Sequence, residues 1–193
     1  MSPAVGRGTI KRLMPKQNPQ RRRIRPAAEV YADIGVIRSI TIAVKGRAPV
    51  FACRAVAAAA VDFLRRHAAA TGVPVDAWCV MPDHIHLILG ASPPCDIVTF
   101  VGQFKILAQR DAWRLGVKGA FGPTSFWDHV LRGDERLEHV VEYVLNNPVR
   151  SGLVEQWGDY RVSGTACSIS RTPAGTGPAG DKPPPYGGNY VSA

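Results

Sequence analysis

The sequence predicts an α+β fold, a ferredoxin-like sandwich with an antiparallel sheet, and three observations point to it. Hydrophobic periodicity changes along the chain in the order strand, helix, strand, strand, helix, strand. The two middle strands are joined only by a tight Met-Pro-Asp connection, which suits a hairpin and therefore antiparallel pairing. After the last strand a further apolar stripe recurs at helical spacing, adding a C-terminal helix to the basic plan.

The first strand is read from Ile40, Ile42 and Val44 alternating with Ser39, Thr41 and Ala43, and Lys45-Gly46-Arg47 breaks it. Val56, Ala60, Phe63, Leu64 and His67 then mark a helix from about Phe51 to Ala70, with Gly72 as its stop. Strands follow over Val75 to Val80 and His84 to Leu89. Ile97, Val101, Phe104 and Leu107 define a second helix that carries Lys105, Arg110 and Arg114 and ends near Gly116. Phe126 to Leu131 reads as a short edge strand. Gly133-Asp134 offers an N-cap for a third helix with Leu137, Val140, Val141 and Val144 as its stripe, and Pro148 is expected to end it.

With 193 residues and 46% hydrophobic content the chain can bury one core and leave polar extensions over. The division expected is a basic extension over 1–30, a folded domain over 31–162, and a Gly/Pro/Ser-rich tail over 163–193, with both ends outside the packed core. Lys+Arg number 24 against 15 Asp+Glu, a net charge of +9. The surplus is concentrated in residues 1–26, where Arg21, Arg22, Arg23 and five other basic residues occur without an acid. Such a segment suits a polyanion such as DNA, and is equally a solvated leader. Cys53, Cys79, Cys95 and Cys167 are unevenly spaced with no CxxC pair, against a zinc knuckle or a disulfide framework. A reducing, cytoplasmic setting without membrane attachment is expected.

The chemistry centres on MPDHIHLIL, Met81 to Leu89. Side chains two apart on a strand share a face, so His84 and His86 lie together while Ile85, Leu87 and Leu89 face the other way. Two imidazoles seldom complete a metal site, and the third helix offers a further ligand: Tyr143 and Asn147, four apart in EYVLNNP, share one side of it. An amide oxygen with two imidazoles leaves positions open for water and phosphate, which suits Mg²⁺ or Mn²⁺ better than structural zinc. Each residue also has an ordinary reading: a hydrogen-bonded histidine pair, a boundary tyrosine, a helix C-cap asparagine. His139, one turn before Tyr143, is a spare candidate.

Taken in order, MPDHIHLIL and FWDHVLRGDERLEHVVEYVLNNPVRSGLV resemble the single-tyrosine HUH transposases of bacterial insertion sequences, most closely the REP-associated tyrosine transposases. The similarity runs from about Ile34 to Tyr160 and includes the KGRAPVF turn and the helix bearing Lys105. The resemblance implies that His84, His86 and Asn147 hold the metal and that Tyr143, on the added helix, is the catalytic nucleophile. Many insertion-sequence members carry glutamine where Asn147 stands, whereas asparagine is found in the REP-associated branch. The implied reaction is metal-dependent cutting and rejoining of single-stranded or hairpin DNA through a 5′-phosphotyrosine, by a monomer or a homodimer that exchanges the tyrosine helix. Lys105, Arg110, Arg150 and the leader arginines would supply phosphate contacts. Water on the ion, then His139, are the candidate acceptors for the phenol proton. The rival readings are a cleavage-deficient hairpin-binding descendant, a phosphoesterase that uses water, and an RNA-recognition module. The last wants aromatic residues on the central strands, and here the third strand offers His84, His86 and Ile88 on one face and aliphatics on the other.

Overall fold

The computed structural model describes residues 29–118, 125–131, 136–166 and 189–192. A one-turn helix α1 (Glu29–Ala32) precedes strand β1 (Arg38–Ala43), helix α2 (Arg54–Thr71), the hairpin β2 (Val75–Met81) and β3 (His84–Leu89), helix α3 (Ile97–Arg114) and strand β4 (Ser125–Val130). Helix α4 (Leu137–Leu145), a single turn α5 (Asn147–Arg150), and short strands β5 (Ser163–Thr165) and β6 (Asn189–Ser192) complete it. One antiparallel sheet runs in the order β5-β2-β3-β1-β4-β6. Its inner four strands have the predicted ferredoxin-like arrangement.

Alternation decides which face each strand residue serves. Ile40, Ile42, Ile85, Leu87 and Leu89 point to one side and form the main core with α2 and α3, where Leu64, Phe100 and Phe104 are fully buried. The other face of β2 and β3 presents Ala77, Cys79, Met81 and Ile88, which α4 covers with Val141, Val144 and Leu145. The expected stop at Gly72 holds, and α3 starts on a cap that the structure reveals. Gly72 closes α2 in the left-handed region (φ 71) and donates its N–H to Ala68 O, and Asp96 caps α3 by accepting from Thr99 N at 2.7 Å.

Four expectations need correction. Phe126 to Leu131 is not an edge strand, because β6 pairs with the outer side of β4. The segment after residue 162 supplies both β5 and β6, so parts of the expected tail belong to the sheet. Gly164 lies across Trp78, where an added Cβ would collide with the indole, so only glycine allows β5 that close. At the other end of α4, Asn146 interrupts the helix and Pro148 sits in the first turn of α5. Proline is tolerated there because that N–H needs no helical acceptor. The helix start is Arg136, whose side chain makes no cap, while Gly133 and Asp134 lie outside the described residues.

Within the main core, His67 is 9% exposed and stacked between Phe63 and Phe100, with centroids at 5.3 and 4.4 Å. Its Nε2 has no hydrogen-bond partner among the described residues, and burial holds the imidazole below its ordinary pKa. A depressed folded pKa means that the unfolded chain takes up the proton first, so stability falls as pH drops below about 6.5. His67→Phe removes both the orphaned nitrogen and this acid sensitivity. The variant should gain about 1 kcal/mol at pH 7 and lose less than the parent on going to pH 5, as read from urea midpoints. Equal losses would mean that His67 contributes nothing to the acid response.

Candidate metal centre

β3 places His84 and His86 on the sheet face that α4 partly covers, as the alternation requires. Their Nε2 atoms converge to 2.9 Å with the rings nearly perpendicular, at 87°. Each outer nitrogen is held. Asp83 Oδ1 lies 2.5 Å from His84 Nδ1 and Thr41 Oγ1 lies 3.0 Å from His86 Nδ1. If both Nδ1 atoms donate to these oxygens, both Nε2 atoms present lone pairs that a shared proton, or a cation bound to both from one side, can take.

The electrostatics agree with that arrangement. Burial, with His84 and Arg47 adding to it, pushes the His86 pKa down to about 3, so its imidazole is neutral. Burial alone would raise the Asp83 carboxyl, but its hydrogen bond to His84 and the charges of His84 and Arg47 outweigh this and hold it below the ordinary value. Asp83 is therefore the anion that orients His84. Cys79 stands opposite His86 on β2, and burial pushes its thiol up to about 12.

The spacing of the pair fits a divalent cation. Neighbouring ligands of an octahedral ion bound at 2.0–2.1 Å stand about 3 Å apart, close to the observed separation of the two Nε2 atoms. Among the described residues no group of three or more His, Cys, Asp or Glu side chains forms a metal site, so a third ligand drawn from those residues would be of another type. Asn147 is on the same side of the molecule through α4 and α5, but its Nδ2 donates to Tyr143 O at 3.0 Å and Val144 O at 3.1 Å. It caps α4, and its Oδ1 is the atom left for a ligand role.

Tyr143 is half-buried on α4 and packs against the cluster on the histidine-bearing face, with the Arg150 guanidinium 4.7 Å above its ring. His139 is exposed one turn earlier. Lys105 departs from expectation. It is 7% exposed on α3, in the layer across the sheet from the histidines, and burial lowers its ammonium pKa, so it has no surface to offer a phosphate. Arg110 is exposed on the same helix, 3.9 Å from Asp111, and Arg21, Arg22 and Arg23 lie outside the described residues. The sequence reading missed Asp83, taken only as a turn residue, and Thr41, taken only as part of a strand pattern. The position of Asp83 directly before His84 was the available signal.

Comparisons with known proteins bear on the same region. A family model described as "Transposase IS200 like" matches residues 36–147. A REP-associated tyrosine transposase of Escherichia coli (strain K12) is 30% identical over 89 residues, 46% of this chain and 52% of the relative, so the match spans about half of that protein. A solved structure of a REP-associated tyrosine transposase bound to a REP hairpin aligns over 69% of this chain and 78% of its own, with a TM-score of 0.55 and 24% identity. That likeness is one of fold. No helix among the described residues is long and apolar enough to cross a membrane.

Proposed function

The chain belongs to the IS200-like transposase family, and from that membership we propose that it cuts and rejoins single-stranded DNA at a hairpin through a covalent bond to Tyr143. The observation that carries this reading is the imidazole pair, with its two Nε2 atoms 2.9 Å apart and both Nδ1 atoms held. His84 and His86 would hold Mg²⁺ or Mn²⁺, with Asn147 Oδ1 as the third protein ligand. A bound divalent ion supplies Lewis-acid withdrawal of charge from a phosphate oxygen.

The rest is the work of the chain itself. Tyr143 Oη attacks phosphorus, the P–O3′ bond breaks, and the departing strand leaves as a 3′-hydroxyl that carries the proton. The product is a 5′-phosphotyrosine. A phenolate leaves more readily than a sugar alkoxide, so another strand's 3′-hydroxyl can attack that linkage and restore the phosphodiester without ATP. Because α4 covers the histidine-bearing face of its own sheet, a site completed within one chain is favoured over one that needs a homodimer. Arg150, exposed beside Tyr143, and the leader arginines suit phosphate contacts. The choice of a hairpin as substrate follows the structural relative, which was solved bound to one.

The test is incubation with end-labelled hairpin oligonucleotides and Mn²⁺ or Mg²⁺, followed by denaturation. Label that migrates with the protein and vanishes with a chelator is the expected result. Nicking without an adduct would assign a phosphoesterase, and tight binding with neither would assign a cleavage-deficient hairpin-binding protein.

A further inference from the structure

The Lys45-Gly46-Arg47 turn stands beside the histidine pair and has no part in the mechanism above. Gly46 (φ 65, ψ 15) and Arg47 (φ 58) both take left-handed backbone, and Arg47 is the one non-glycine residue with positive φ among the described residues. Holding a long side chain in that region strains the backbone. In return Arg47 Nη1 pairs with Asp83 Oδ2 at 3.3 Å, with its side chain 62% exposed. An exposed pair of this kind contributes little to stability. The ion pair therefore does not by itself explain the conformation. Position does.

The turn is fixed to the site from both sides. Val44 N donates to Asp83 O and Phe51 N to Pro82 O, each at 2.9 Å, so the whole KGRAPVF segment is tied to the β2–β3 hairpin. Asp83 divides its carboxylate, Oδ1 to His84 Nδ1 and Oδ2 to Arg47. The guanidinium is thereby held one carboxylate away from the imidazole pair, and Asp83 is its one ion-pair partner among the described residues. A guanidinium has five donors in a planar fork, so most of that capacity remains available to an oxyanion.

We propose that Arg47 is a phosphate-binding residue of the cleavage site, donating to the non-bridging oxygens of the scissile phosphodiester while Asp83 keeps it in place. The inference rests on the strand-cutting reading above. It is tested with Arg47→Gly, which keeps the left-handed backbone without strain, and Arg47→Lys, on a hairpin that the parent protein cuts. One version of the hairpin carries an ordinary scissile phosphate and the other an uncharged methylphosphonate at that linkage. Adduct formation and hairpin affinity by Arg47→Gly should fall by about a hundredfold in total on the charged DNA, with Arg47→Lys in between. Parent and variant should differ by no more than about threefold on the uncharged DNA, because the lost interaction is already absent there. Mn²⁺ affinity, followed by calorimetry without DNA, should stay the same. A loss of equal size on both DNAs, or one accompanied by weakened Mn²⁺ binding, would show that Arg47 acts only by positioning Asp83 and His84 and would overturn the proposal, as would unchanged activity. A parent protein that forms no adduct on any hairpin sinks the cutting reading itself, and this inference with it.

Discussion

Tyr143→Phe should abolish transfer of labelled DNA to the protein, a loss of at least about 10⁴-fold, while hairpin binding persists. The exchange removes one oxygen from a half-buried ring and keeps its packing on the second cluster and the guanidinium of Arg150 above it, so the fold should lose about 1 kcal/mol or less. Tyr160 is the internal control. It packs against the same cluster, but its hydroxyl donates to Val80 O at 2.8 Å and burial pushes its pKa up to about 12. That phenol is a structural donor. Tyr160→Phe should lower stability and leave the adduct intact. An adduct that survives at position 143 and disappears at 160 would transfer the nucleophile's role.

The second large effect concerns stability alone. Asp128→Ala should lower the free energy of unfolding by about 3–5 kcal/mol, read from urea titration. Arg38 Nη1 and Asp128 Oδ2 meet at 2.6 Å with side chains 1% and 3% exposed, joining β1 to β4, and the Arg38 guanidinium lies 4.5 Å over the Tyr31 ring. Removing the carboxylate leaves a guanidinium in the core without its counter-charge. Replacing both partners by apolar residues of similar volume, Arg38→Met with Asp128→Leu, should restore most of the loss, because no charge then remains buried. A single variant as stable as the parent would show that the interior there admits water.

What was legible in the sequence was whatever a residue decides by its own periodicity or stereochemistry. Ile40 and Ile42, the Ile85-Leu87-Leu89 series, Gly72 as a helix stop and the shared face of His84 and His86 all follow from local rules. What was not legible depends on partners distant in the chain. Lys105 reads as a surface cation beside Phe104, and only the packing of α3 shows it buried. Ser163 to Thr165 has no apolar alternation, and becomes a strand because β2 offers an unpaired edge and Gly164 clears Trp78. Asp83 looks like turn chemistry until the hairpin closes and its two oxygens find His84 and Arg47. The fold was thus more readable than the site, since a site is made of contacts between segments.

The strand HIHLIL serves two masters by turns: Ile85, Leu87 and Leu89 feed the main core, while the opposite face carries two imidazoles and then Ile88. Were β3 to slip by a single residue against β1 and β2, Ile85, Leu87 and Leu89 would leave the main core and both histidines would enter it. Misalignment is thus punished by loss of hydrophobic burial before it can yield a misplaced histidine pair. Folded molecules should consequently share one register, with misaligned protein found in the unfolded fraction.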